Sequence, residues 1–182
     1  MKIKALEIGG AFKISPKIHE DSRGRFTRTF CTKEFKNFGL NTEWVQMNSS
    51  VSCAKGTVRG LHYQKPPHAE IKLVRCVRGR IFDVILDLRK DSLSYGVVCS
   101  VELDSKTFDM LYIPKGCAHG FQALTNDTEL QYCHSAFYEP DYESGININD
   151  QELSIEWPLS LLNLSHKDKI LPTFAETEPL VL

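Results

Sequence analysis

The segment Arg59-Gly60-Leu61-His62-Tyr63-Gln64 gathers an arginine, a histidine and two further hydrogen-bonding side chains. In an extended strand side chains alternate, so His62 and Gln64 face one way and Leu61 and Tyr63 the other. With an ordinary pKa of about 6.5, a histidine there suits proton abstraction as a general base at neutral pH, although its type alone leaves a structural role open. Lys72 follows inside the apolar run Ile71-Lys72-Leu73-Val74-Arg75-Cys76-Val77. A cation so placed is either a solvated edge lysine or faces a site, where it stabilises developing negative charge.

A second histidine arrives in Ile113-Pro114-Lys115-Gly116-Cys117-Ala118-His119-Gly120-Phe121. Its Pro-x-Gly-x-x-His spacing is similar to one half of the bipartite cupin pattern, in which a turn delivers a histidine to a barrel interior. The other half of that pattern normally supplies a His-x-His pair and a glutamate as metal ligands. Here the corresponding stretch reads His62-Tyr63-Gln64, without the second histidine. The expectation is therefore no metal site and no cofactor, which favours acid–base chemistry over a metal-dependent dioxygenase.

These residues need strands to hold them. In Arg80–Arg89, Phe82, Val84, Leu86 and Leu88 share one face, while Asp83, Asp87 and Arg89 share the other with Ile81 and Ile85. That predicts a core on one side and a more polar surface on the other, either solvated or lining a cavity for a polar small molecule. A second strand is expected over Ile71–Val77, with Arg78-Gly79 as a hairpin turn, because glycine accepts positive φ. Further strands are expected at Thr42–Met47, Val97–Leu103, Met110–Ile113 and Glu129–Ala136, and short peripheral helices at Thr32–Phe38 and Leu159–Leu162. Regularly spaced short strands with little helical periodicity indicate an all-β sandwich or barrel.

Composition narrows the classes. The 182 residues carry 22 Lys and Arg against 23 Asp and Glu, a net charge of −1 with no basic cluster, which argues against nucleic acid. No stretch approaches the roughly 20 apolar residues of a membrane span, and Met1-Lys2-Ile3-Lys4-Ala5 lacks a signal-peptide run, so no membrane and a cytoplasmic location are expected. Cys31, Cys53, Cys76, Cys99, Cys117 and Cys133 are widely spaced without a CxxC, which reads as buried, reduced thiols. Without repeats or linkers, residues 1–182 read as a single domain.

With these motifs in hand, the chain resembles the dTDP-4-dehydrorhamnose 3,5-epimerase family. The resemblance rests on Asp21-x-Arg23-Gly24-x-Phe26, Val58-Arg59-Gly60-Leu61-His62-Tyr63-Gln64, Lys72-Leu73-Val74, Asp87-Leu88-Arg89, Pro114-x-Gly116-x-Ala118-His119-Gly120-Phe121, Tyr138-x-Pro140, Trp157-Pro158 and Ser165-x-Lys167-Asp168. It implies a double-stranded β-helix, or jelly roll, and a homodimer in which N-terminal residues of one subunit complete the other's nucleotide pocket. The implied reaction is enolisation of a nucleoside-diphosphate 4-keto-6-deoxyhexose and inversion at C3, C5 or both, in deoxysugar biosynthesis for a surface polysaccharide. The resemblance makes His62 the base, Asp168 its partner, Lys72 the enolate-stabilising cation and Tyr132 the acid on the opposite face. Arg59 and His119 match substrate and diphosphate positions, and His19, Arg23, Arg28, Gln46, Asn48, Tyr138 and Glu143 fall in substrate-binding segments.

Departures from the family pattern cluster away from the proton chemistry. His19 stands where an aromatic usually stacks on the base, Arg28 where a glutamate usually meets the pyrimidine edge, and Gln46-Met47-Asn48-Ser49 where Gln-Asp-Asn-His is usual. Thymine N3–H is a donor and cytosine N3 an acceptor, so an arginine in place of a carboxylate suits a CDP-linked sugar. A 3,4-ketoisomerase of nucleotide 4-keto sugars and a binding-only cupin stand as alternatives at this level.

Overall fold

A computed structural model describes residues Met1–Leu182. In chain order its strands are β1 (Lys2–Ala5), β2 (Phe12–Ser15), β3 (Ile18–Asp21), β4 (Gly24–Thr27), β5 (Gln46–Ser52), β6 (Val58–Gln64), β7 (Lys72–Arg78), β8 (Arg80–Asp87), β9 (Val98–Asp104), β10 (Met110–Ile113), β11 (Cys117–Ala123), β12 (Thr128–His134) and β13 (Glu143–Gly145). Helix α1 (Thr32–Asn37) follows β4, and α2 (His166–Lys169) lies near the C-terminus. A six-stranded sheet, β1-β2-β10-β7-β12-β5, packs against a five-stranded sheet, β13-β6-β11-β8-β9, as an antiparallel jelly roll. Strands β3 and β4 form a separate hairpin arm.

Three apolar clusters hold the layers. Between the sheets, Val74, Leu111 and Leu130 of one meet Ile81, Ile85, Leu103 and Phe121 of the other. The outer face of the five-stranded sheet, with Leu61, Tyr63, Val84 and Leu86, is covered by Ile146, Ile148, Leu153 and Leu180. Phe35 of α1 caps the outer face of the six-stranded sheet through Ile14, Leu73 and Met110. Strand β8 is thus buried on both faces, and its acids are neither solvated nor cavity-lining. Asp83 is enclosed against His119, and Asp87 is enclosed by Arg89, Ser92 and Ser94.

Asp87 is a structural anchor whose effect has a definite sign. Burial alone would raise its pKa, but hydrogen bonds from Arg89, Ser92 and Ser94 outweigh burial and hold it at about 2 against an ordinary 3.8. Its ionised form therefore stabilises the fold above pH 4, and this contribution is lost as pH falls through about 2. Asp87→Asn is expected to lower the unfolding free energy by about 2 kcal/mol at pH 7, with the gap to the parent chain closing in denaturant titrations carried down from pH 4.

Several local expectations are corrected by the pairing. Arg78-Gly79 is not a hairpin turn, because β7 pairs with β10 and β12 while β8 pairs with β9 and β11. The chain instead changes sheets at Gly79 (φ +78°), where a Cβ would lie 2.2 Å from Thr125 Oγ1. The strand expected over Thr42–Met47 begins only at Gln46 and runs on to Ser52, paired from Gln46↔His134 to Ser52↔Thr128. Leu159–Leu162 is not helical. Gln122 takes the Leu159 N–H and the Leu159 and Ser160 carbonyls, and Leu162 bridges to Thr57, so these backbone groups are satisfied without a helical turn. All six cysteines are free, but only Cys76, Cys99 and Cys117 are buried and Cys53 is exposed. Burial pushes the Cys76 and Cys117 thiols up to about 11 and about 12, which keeps them protonated and inert. No helix is long and apolar enough to cross a membrane.

Candidate active site

Along the inward faces, apolar side chains give way to polar ones toward one end of the sandwich. On β12 the inward series runs Leu130, Tyr132, His134, and on β7 it runs Cys76, Val74, Lys72. Register sets these rows side by side: Asn48, Tyr132 and Val74 lie opposite one another, as do Gln46, His134 and Lys72. The five-stranded sheet supplies the facing wall, where His62 of β6 lies directly opposite His119 of β11. Glycines permit that approach, since a Cβ on Gly60 would meet Gly120 Cα at 2.5 Å and one on Gly120 would meet Arg59 O at 2.6 Å.

The result is an open cavity of about 690 Å³. His62, Asp168, Lys72, Tyr132, Arg59, His119, Asn48, Tyr138 and Glu143 all line it. Gln46 stands behind this lining, donating to Asn48 Oδ1 at 3.3 Å and accepting from the Tyr138 N–H at 3.1 Å. His19 and Arg23 lie on the β3–β4 arm, outside the cavity of their own chain. Arg28 also lies outside it, beyond the arm, with its guanidinium 3.5 Å from Glu34.

His62 and Asp168 form a tight dyad at 2.7 Å between Nε2 and Oδ1. Burial opposes ionisation of Asp168, but the His62 contact and the Ser165 hydroxyl overcome it and keep the carboxyl below its ordinary range. An ionised carboxylate only accepts, so Nε2 carries the proton and Nδ1 is the free basic position. The carboxylate is delivered by α2, whose N-cap Ser165 accepts from the Asp168 N–H at 3.0 Å. Lys72 donates to the His62 carbonyl at 3.3 Å, tying the cation to the backbone of the dyad histidine. Burial drives the Tyr132 phenol well above its ordinary pKa, reinforced by the Asp83 charge against the opposing pull of Arg59, so it holds its proton at neutral pH. His62 and Tyr132 thus project from opposite sheets into one space.

A profile described as dTDP-4-dehydrorhamnose 3,5-epimerase matches residues 5–176. This chain belongs to that family. The dTDP-4-dehydrorhamnose 3,5-epimerase of Methanothermobacter thermautotrophicus is 41% identical over 89% of this chain and 88% of its own length. The crystal structure of the family's enzyme from Bacillus anthracis, with TDP and PPi bound, superposes with a TM-score of 0.92 at 40% identity, covering 94% of this chain and 98% of that one. The Legionella pneumophila enzyme, in complex with dTDP-4-keto-L-rhamnose, gives a TM-score of 0.91 at 35% identity, covering 97% and 94%. Family membership makes the chain an isomerase of the nucleotide-sugar epimerase type.

Among the cavity residues that the sequence did not place in the site are His134 and Glu70. His134 carries a legible signal, since it lies two positions after Tyr132 and shares its strand face. Glu70 lies in the loop before β7, where no periodicity says which way a side chain points.

Proposed function

We propose that this chain inverts C3, C5 or both in a thymidine-diphosphate 4-keto-6-deoxyhexose, with His62 as base and Tyr132 as acid. The observation that carries the reading is the placement of those two groups on opposite walls of one cavity. The C4 ketone acidifies the neighbouring C–H bonds. His62 Nδ1 takes the proton, the bonding pair moves toward C4, and the carbonyl oxygen becomes an enolate that Lys72 stabilises by a charged hydrogen bond. Tyr132 then delivers its phenolic proton to the opposite face of the carbon, and solvent restores both groups. Asp168 fixes the His62 tautomer and offsets the imidazolium charge.

Arg59 at the cavity mouth, held to Val51 O at 3.2 Å, offers its fork to the diphosphate. The bound TDP and dTDP sugar of the two solved relatives support a thymidine nucleotide. Arg28, the residue that would favour cytosine, lies 3.5 Å from Glu34 with its side chain 64% exposed. The exposed β3–β4 arm, with Phe26 70% exposed, supports a homodimer in which His19 and Arg23 reach the partner's nucleotide. Parallel assays with dTDP- and CDP-4-keto-6-deoxyglucose, read by NMR of the product, test the reading. Inverted dTDP product formed at least tenfold faster than CDP product is expected. A product with its carbonyl moved to C3 would instead identify a ketoisomerase.

A further inference from the structure

Beside the dyad lies a second ionisable cluster, built around Lys72, in which the reaction above assigns no part to Glu70 and His134. Glu70, its side chain only 9% exposed, has both carboxylate oxygens committed: Oε1 lies 3.3 Å from Lys72 Nζ, and Oε2 lies 2.6 Å from His134 Nδ1. Burial opposes ionisation of Glu70, but the His134 hydrogen bond and the Lys72 charge hold its carboxyl below the ordinary range. As an anion it only accepts, so His134 donates through Nδ1 and presents a bare Nε2. That nitrogen faces the Asn48 amide, which donates to it at 3.4 Å, and Gln46 donates in turn to Asn48 Oδ1. The imidazole ring also stacks on Tyr132, with centroids 5.9 Å apart and planes 19° apart.

We infer that His134 and Glu70 form a positioning relay that aims the Lys72 ammonium at the substrate's carbonyl oxygen. An ammonium has three donors on a flexible stem. Two are taken here, one by the His62 carbonyl and one by Glu70 Oε1, which leaves the third for the cavity. Glu70 alone would be free to turn and meet Lys72 with either oxygen. His134 removes that freedom by holding Oε2, and β-sheet register removes its own, since His134 and Lys72 are directly opposed on neighbouring strands. The relay runs from β5 through β12 to β7, so the enolate-stabilising cation is referenced to three strands as well as to the base.

This inference rests on the reading of Lys72 as the enolate's partner, and its test separates the two. Glu70→Gln and His134→Leu are each compared with the parent chain for kcat, KM and dTDP binding stoichiometry. Both are expected to lower kcat about tenfold, with KM changed less than twofold and one dTDP still bound per chain. His134→Gln, whose amide can again donate to Glu70, is expected to recover most of the lost kcat. An unchanged or raised kcat in Glu70→Gln overturns the relay, because the carboxylate would then only be quenching the cation. A loss in His134→Leu that His134→Gln does not restore overturns the part assigned to His134. Absence of epimerisation by the parent chain would instead remove the underlying functional reading.

Discussion

His62→Asn is expected to abolish epimerisation, lowering kcat about a thousandfold, while dTDP affinity stays within a few-fold. Asparagine retains a donor toward Asp168, so the buried carboxylate that His62 now meets at 2.7 Å is not left unpaired. What disappears is the basic Nδ1 and, with it, any group able to take a carbon-bound proton from that wall. The cavity's carboxylates are already committed: Glu143 to Tyr138 and Lys167, Asp168 to the dyad, the Ser165 hydroxyl and the Gly60 N–H, and Glu70 to Lys72 and His134. The split between rate and binding identifies a base; a parallel loss of dTDP binding would point to a structural histidine.

Tyr132→Phe carries the second large effect, and a different one. The ring, stacked on His134 and edge-on to His119, persists, so the wall keeps its shape. Only the phenolic proton is lost. His62 can still remove a proton and return it, or return a deuteron from solvent, to the same face. Net inversion is therefore expected to fall about a hundredfold, with solvent exchange falling much less, so that the ratio of exchange to inversion rises sharply. Equal loss of both would place Tyr132 in substrate binding rather than proton delivery.

The places of His62, Lys72 and Tyr132 at the cavity were legible from the family pattern and from strand alternation, which fixes their faces, whereas Asp168, on α2, was legible from the family pattern alone. The all-β class was legible for the same reason: short alternating segments separated by turns. Sheet membership was not. β7 and β8 are contiguous except for Gly79, and nothing local tells a hairpin from a crossing between sheets, because that choice is made by β10, β11 and β12, more than thirty residues later in the chain. The continuation of β5 from Asn48 to Ser52 was missed because Asn48-Ser49-Ser50 is polar and lacks strand formers, whereas its backbone is satisfied by β12 and its side chains are free to be polar at a sheet edge. Glu70 was invisible because loop side chains have no period, and its meaning depends on His134 sixty-four residues away. His19 and Arg23 on the arm, and Arg28 just beyond it, follow from motif position alone, and within one chain they stay outside the cavity that gathers the rest.

The central claim is that carbon-bound hydrogen is exchanged and inverted between His62 and Tyr132 at the carbons flanking C4. Incubating the full chain with dTDP-4-keto-6-deoxyglucose in D2O and following the sugar by proton NMR tests it most directly. The account predicts deuterium at C3, C5 or both, appearing together with inverted configuration at each labelled carbon. Inversion without deuterium, or no label at either carbon, would contradict it.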